Sequence, residues 1–252
     1  MPARNARTGF TLVELSIVLV IIGLIVGGVL AGKALIQQAE IRAAASQLQQ
    51  METAYRTFQV KYGCIIGDCA NATDFFGMNY YQVGSGCPPS GGVGNGNGNG
   101  DGFIDNGGYG GAWQCEPLQA AKSLTLSGLL PTAATTPCYT YAVVFKGIHD
   151  GCGYFYKDDV YSRGTPIKVN AMTWAQYRSS GGGQYDVGIL GPVEARLIDE
   201  KIDDGKATTG KFRGLDAALP SGVGGIIVNS CYTSGTYNLN EDYTCRALYY
   251  FK

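Results

Sequence analysis

Residues 7–28 read RTGFTLVELSIVLVIIGLIVGG. The apolar run extends from Phe10 to Gly32, and Glu14 is the one charged side chain within it. A helix over those residues covers about 35 Å at 1.5 Å per residue, enough to cross a bilayer. Residues 1–9, MPARNARTG, are polar, carry Arg4 and Arg7 and contain no acid. A short basic segment of this kind stays on the cytoplasmic side while the rest of the chain is exported. A cleavable secretory signal would end its apolar run at a small-residue cleavage site. Here the run passes into a longer helical pattern instead.

A plain signal anchor accounts for the length and the charges but not for Glu14. A carboxylate in a membrane segment is costly and usually has both a partner and a task. Glu14 lies one helical turn beyond Phe10. Were the chain cut between Gly9 and Phe10, the new α-amine would be a cation at the membrane edge. Glu14 of one subunit could then neutralise the Phe10 amine of another, lowering the cost of both charges in a low-dielectric bundle.

Gly9-Phe10-Thr11-Leu12-Val13-Glu14, after a basic leader and before an apolar helix, resembles the type IV prepilin signature. The resemblance implies that a membrane peptidase cleaves after Gly9 and N-methylates Phe10. It also implies that Glu14 supports addition of the subunit to a helical filament. The implied domains are a leader (1–9), a transmembrane or filament-core helix (10–32), its amphipathic continuation (33–63) and an extracytoplasmic head (64–252). The implied fold is α+β and pilin-like, with the long helix packed on an antiparallel sheet. The implied partners are other pilin or pseudopilin subunits, the prepilin peptidase, an inner-membrane assembly platform and, before assembly, membrane lipid.

The residues themselves support that outline. Ile41, Ala44, Leu48, Met51, Tyr55, Phe58 and Tyr62 are spaced alternately three and four apart, one apolar stripe along a helix. No proline occurs from Arg4 to Cys87, so one helix from Phe10 to about Gly63 is expected, with Gly63 as its stop. Further on, Trp113–Ser127 and Val193–Ile202 read as helices. Strand-like runs fall at Thr140–Lys146, Gly153–Tyr161, Tyr185–Leu190, Gly225–Tyr232 and Leu248–Phe251. The stretch 64–112 reads as a long glycine-rich connection.

Cys64, Cys69, Cys87, Cys115, Cys138, Cys152, Cys231 and Cys245 all lie after residue 63. An even count confined to an exported region points to disulfides. Neither the CxxC nor the Cys/His spacing of a zinc site is present, and His149 is the only histidine. Local pairs 64–69, 87–115, 138–152 and 231–245 suit the turns between elements, as one of 105 possible arrangements. Each would restrain a glycine-rich chain that has much entropy to lose.

The stretch 94–108, GNGNGNGDGFIDNGG, raises the question of calcium. Asn97, Asn99 and Asp101 alternate, Gly102 follows, Phe103 offers a carbonyl and Asp105 comes next, as in the first half of an EF-hand loop. Gly108 stands where that loop needs glutamate. The competing reading is a cluster of Asn-Gly turns. Residues 205–212, GKATTGKF, fail as a phosphate-binding loop because Phe212 replaces the required hydroxyl. No nucleophile-elbow G-x-S-x-G occurs, and the sequence offers no catalytic set. Net charge is −1 with a pI near 5.8, unlike a basic nucleic-acid binder.

The expectation is therefore a non-enzymatic structural subunit of a type IV pilus or type II secretion pseudopilus. It would be held in the bacterial inner membrane by a single pass and then enter the filament. The alternative is a membrane-anchored module that binds calcium or glycans and never polymerises.

Overall fold

A computed structural model describes residues 11–77, 97–104, 115–130, 143–145, 151–158, 169–178, 184–217, 230–239 and 245–251. The chain divides into two compact units, Met1–Glu40 and Ile41–Lys252. Helix α1, Leu12–Tyr62, contributes residues to both.

The first unit contains the apolar part of α1. Its large side chains lie open, from Leu12 at 89 % exposure through Ile25 at 60 % to Ile36 at 60 %. The apolar stretch of this helix is long enough to cross a membrane, and none of it is buried. Among the described residues nothing in the unit covers these groups, as suits a helix whose surroundings are lipid or other helices.

The second unit is an α+β head. Ile41, Ala44, Leu48, Met51, Tyr55 and Phe58 of α1 are buried, as their spacing predicts, while Tyr62 is half-buried. They pack against an antiparallel sheet. Its strands are β1 (Val143–Phe145), β2 (Gly151–Asp158), β3 (Val169–Arg178), β4 (Gln184–Val187), β5 (Phe212–Asp216) and β8 (Cys245–Tyr250). The order is β1-β2-β3-β8-β5, with β4 also on β3. A short hairpin, β6 (Tyr232–Thr233) and β7 (Thr236–Tyr237), stands apart from it. Three further helices are α2 (Ala72–Phe76), α3 (Cys115–Leu126) and α4 (Pro192–Ile202).

Register aligns Phe155, Met172, Tyr249 and Phe212 across four strands. All four belong to the main core with the α1 stripe. The next row is Tyr154, Thr173, Leu248 and Arg213. Side chains alternate between faces along a strand, and Tyr154 and Leu248 accordingly join a second, smaller cluster with Ala171 and Tyr250. Strand β8, between β3 and β5, is buried along its whole length, in keeping with a run, CRALYY, that carries a single charged residue.

Several expectations are corrected in detail. Strands β3 and β5 and helix α2 fall where no element is expected from sequence. β3 (VNAMTWAQYR) is poor in β-branched residues. Its strand state comes from two paired neighbours and from Met172 and Trp174 packing inward, a case of context overriding propensity. β8 starts at Cys245 rather than Leu248. Most of the expected strand Gly225–Tyr232 lies outside the described residues.

Two disulfides have both halves among the described residues. Cys64 joins Cys69 just after α1, and Cys231 joins Cys245, with Cα atoms 5.3 and 4.8 Å apart. Cys152 is also disulfide-bonded. Cys87, Cys138 and the side chain of Cys115 lie outside the described residues, and so does His149.

Candidate functional site: the start of the apolar helix

Thr11 stands immediately before α1, and Glu14 is the third residue of the helix. The Thr11 amide and hydroxyl both donate to Glu14 Oε2 at 2.8 Å, and the Glu14 amide donates to Thr11 Oγ1 at 3.3 Å. This is a reciprocal capping box, in which a hydroxyl residue and a glutamate three positions on satisfy the unpaired amides of a helix start. The carboxylate also lies at the positive end of the helix dipole. Sequence reasoning gave Glu14 an intermolecular task and missed this local one, although the T-x-x-E spacing was the available signal. Glu14 Oε1 has no hydrogen-bond partner among the described residues. A carboxylate steered by one oxygen and free at the other can receive a cation without giving up its cap. Gly9 and Phe10 lie outside the described residues.

The loop suspected of holding calcium is organised around a residue that the sequence did not single out. Asp68 sits inside the Cys64–Cys69 ring and is 2 % exposed. Its two oxygens accept the Gly100 amide at 2.6 Å and the Gly102 amide at 2.8 Å. Gly100 and Gly102 have φ of +78° and +91°, so glycine is what lets the backbone curl around the carboxylate. A Cβ on Gly98 would fall 2.4 Å from the Asp68 backbone. The alternating glycines are thus explained by the approach to Asp68.

The residues between those glycines face other donors. Asn97 Oδ1 accepts the Thr73 amide, Asn99 Oδ1 the Asp101 amide, and Asp101 Oδ1 the Phe103 amide, all within 2.9 Å. The Asn99 amide donates to Glu116 Oε1 at 3.0 Å. Burial raises the Asp68 pKa, with a contribution from the Asp101 charge, and the Gly102 and Gly100 amides oppose it. Asn99 and Asp101 thus each close a local turn, Asn97 ties the loop to the start of α2, and Asp105 lies outside the described residues. An acid inside a six-residue disulfide ring was the one sequence signal for Asp68.

A third polar group joins α1 to the sheet. Lys211 Nζ donates to both oxygens of Glu52 at 2.8 and 3.1 Å, and the Tyr249 hydroxyl donates to Glu52 Oε2 at 2.6 Å. Burial works against ionisation of Glu52. The hydrogen bonds from Lys211 and Tyr249, with the charges of Lys211 and Arg56, bring its pKa below the usual value. Neither Lys211 nor Tyr249 can be linked to Glu52 by sequence spacing.

Comparison of the whole chain with curated proteins and with solved structures finds no match. At the N-terminus the outcome differs, and the matched residues include the capping box and the first part of the exposed apolar helix. Residues 4–30 match the prokaryotic N-terminal methylation motif, so this chain carries the type IV prepilin-like signature.

Proposed function

We propose that the protein is a structural subunit of a type IV pilus or a type II secretion pseudopilus. The observation that carries this reading is the methylation motif over residues 4–30, set on a helix whose apolar side chains have no cover. The prepilin peptidase removes residues 1–9 and methylates the Phe10 amine. The helix from Phe10 to Gly32 waits in the inner membrane with the head exported. Glu14, held by Thr11 through one oxygen, offers the other to the Phe10 amine of a neighbouring subunit. The assembly platform moves the paired subunits outward. Packing of the apolar helix against other copies then holds the filament together, through van der Waals contact and the close approach that its glycines allow, since lipid is as apolar as the helices it leaves.

The test is the intact mass and N-terminal sequence of the protein after co-expression with an active prepilin peptidase. A chain that begins at Phe10 and carries one added methyl group is the expected product. An intact leader in the presence of a peptidase that cleaves a control substrate overturns the reading.

A further inference from the structure

In the described part of the glycine-rich loop, a side-chain carbonyl is followed by glycine at Asn97-Gly98, Asn99-Gly100 and Asp101-Gly102. Such pairs are chemically unstable. The glycine nitrogen, once it has lost its proton to base, can attack Cγ of the preceding side chain, and glycine has no Cβ to shield it. At an asparagine the new N–Cγ bond closes a succinimide ring while the Cγ–Nδ2 bond breaks and ammonia leaves. Water then opens the ring at either carbonyl and gives aspartate or isoaspartate. The net change is asparagine plus water to acid plus ammonia, with nothing oxidised or reduced. At Asp101 the group lost and regained is water, and the net change is isomerisation.

Asn99 and Asp101 are exposed, so burial does not protect them. Hydrogen bonds engage the reacting groups instead. The Gly100 amide donates to Asp68 Oδ1 at 2.6 Å and the Gly102 amide to Asp68 Oδ2 at 2.8 Å. The Gly98 amide donates to the Cys69 carbonyl at 2.9 Å. A carboxylate that holds an amide proton opposes the negative charge that loss of the proton would leave on nitrogen. The side chains under attack are also steered elsewhere. Oδ1 of Asn97, Asn99 and Asp101 accepts the amides of Thr73, Asp101 and Phe103, respectively, none of which is the attacking nitrogen. Asp68 is itself fixed, being 2 % exposed and enclosed by the Cys64–Cys69 disulfide. Asn170 holds the far side of the loop through the Gly102 carbonyl and the Ile104 amide, and Glu116 accepts the Asn99 amide.

We propose that Asp68 guards two latent modification sites: by holding the Gly100 and Gly102 amides it prevents deamidation at Asn99 and isomerisation at Asp101. Asn97 is guarded separately, by the Cys69 carbonyl. The glycines that let the backbone close on Asp68 are the same ones that open the preceding side chains to attack. The loop therefore carries its liability and its protection in the same residues, and unfolding it starts a chemical clock.

The division of labour gives the test an internal control, because one side chain serves only two of three similar pairs. The full chain, in detergent and with its disulfides intact, is incubated in mildly alkaline buffer. Each pair is followed by peptide mass spectrometry with fragmentation that separates aspartate from isoaspartate. In the folded wild type Asn99 should deamidate at least about tenfold more slowly than in urea, the factor set by one hydrogen bond to a charged group. In Asp68→Ala, deamidation at Asn99 and isomerisation at Asp101 should rise by about ten- to a hundredfold, while Asn97 keeps its wild-type rate. Equal rates at Asn99 in folded and urea-unfolded wild type overturn the proposal. So does an Asp68→Ala variant in which the rise at Asn99 is absent or is matched at Asn97. If Asp68→Ala does not fold, amide hydrogen exchange of the folded wild type decides, since exchange removes the same proton. Slow exchange at Gly100 and Gly102 is expected, and unprotected amides at both overturn the guard.

Discussion

Asn170 Nδ2 donates to the Tyr55 hydroxyl across 3.2 Å, tying the start of β3 to the buried face of α1. The same side chain donates to the Gly102 carbonyl at 3.0 Å and accepts the Ile104 amide at 2.9 Å. One side-chain amide of β3 thus reaches both the helix and the glycine-rich loop, and it is 6 % exposed. Asn170→Ala leaves three buried groups without their partner. Each such loss costs about 1–3 kcal/mol, less what water recovers, so a decrease of about 3 kcal/mol in unfolding free energy is expected by urea titration. Asn170→Asp should be as harmful, because the acid cannot donate to Tyr55 and Gly102 while ionised.

On the proposed function Glu14 has a second task beside its cap, and two variants divide them. Glu14→Ala removes both the cap and the charge, whereas Glu14→Gln keeps an oxygen for the Thr11 donors and loses only the charge. Both should still be cleaved by the peptidase, and neither should enter filaments. Helicity at the start of α1 should fall in Glu14→Ala by the equivalent of about 1 kcal/mol and stay near wild type in Glu14→Gln. Amide hydrogen exchange at residues 11–15 reads the first effect, and immunodetection of sheared filaments reads the second.

The Cys231–Cys245 disulfide, 14 residues apart in sequence, ties the β6–β7 hairpin region to the first residue of β8. A closed loop of that size contributes about 3 kcal/mol in the chain-entropy description. The double variant Cys231→Ser/Cys245→Ser should lose about that much, as read by denaturation under oxidising conditions. Treatment of the wild type with reductant should cost more than that, since it also opens Cys64–Cys69 and the disulfide at Cys152.

Gly214 occupies a position where side chains crowd. A Cβ there would stand 2.4 Å from the Tyr237 ring and 2.8 Å from Cys231 Sγ. The residue aligns with Ala247 and Trp174 across the sheet, so the bulk of Trp174 is balanced by small neighbours on the β8–β5 side. Gly214→Ala should cost about 1–3 kcal/mol, the usual range for overpacking a core. Thermal unfolding of the variant checks this.

The Glu52 cluster gives the head an acid limit. Its folded pKa lies below the ordinary value, so its contribution is complete above the unfolded pKa near 4.3 and is lost as pH falls through the folded one. Glu52→Gln should flatten the stability profile below pH 4.3 and leave Lys211 without its counter-ion. Urea titrations between pH 2.5 and 5 test this.

Much of this structure could be read from sequence where the cause is local. The stripe from Ile41 to Phe58 follows a helical period, and the pairs Cys64–Cys69 and Cys231–Cys245 lie close along the chain. The motif from Gly9 to Glu14 is contiguous. What escaped reading depends on distant neighbours. Asn170 meets Tyr55 across 115 positions, and Lys211 meets Glu52 across 159. Asp68 takes its meaning from glycines more than thirty residues on. The alternation of Asn97, Asn99 and Asp101 carries two physical meanings at once, since cation loops and Asx turns place oxygens at the same spacing.

Strand β8 has a consequence for folding. It follows every other described strand in the chain, yet it pairs with β3 on one side and β5 on the other. An interior position of the sheet is therefore filled by a segment made after both of its neighbours. Until it is in place, β3 and β5 each lack the strand that belongs between them and present an open edge, which is a template for wrong association. A substitution that keeps β8 out of the sheet would part β5 from β3 rather than trim a margin.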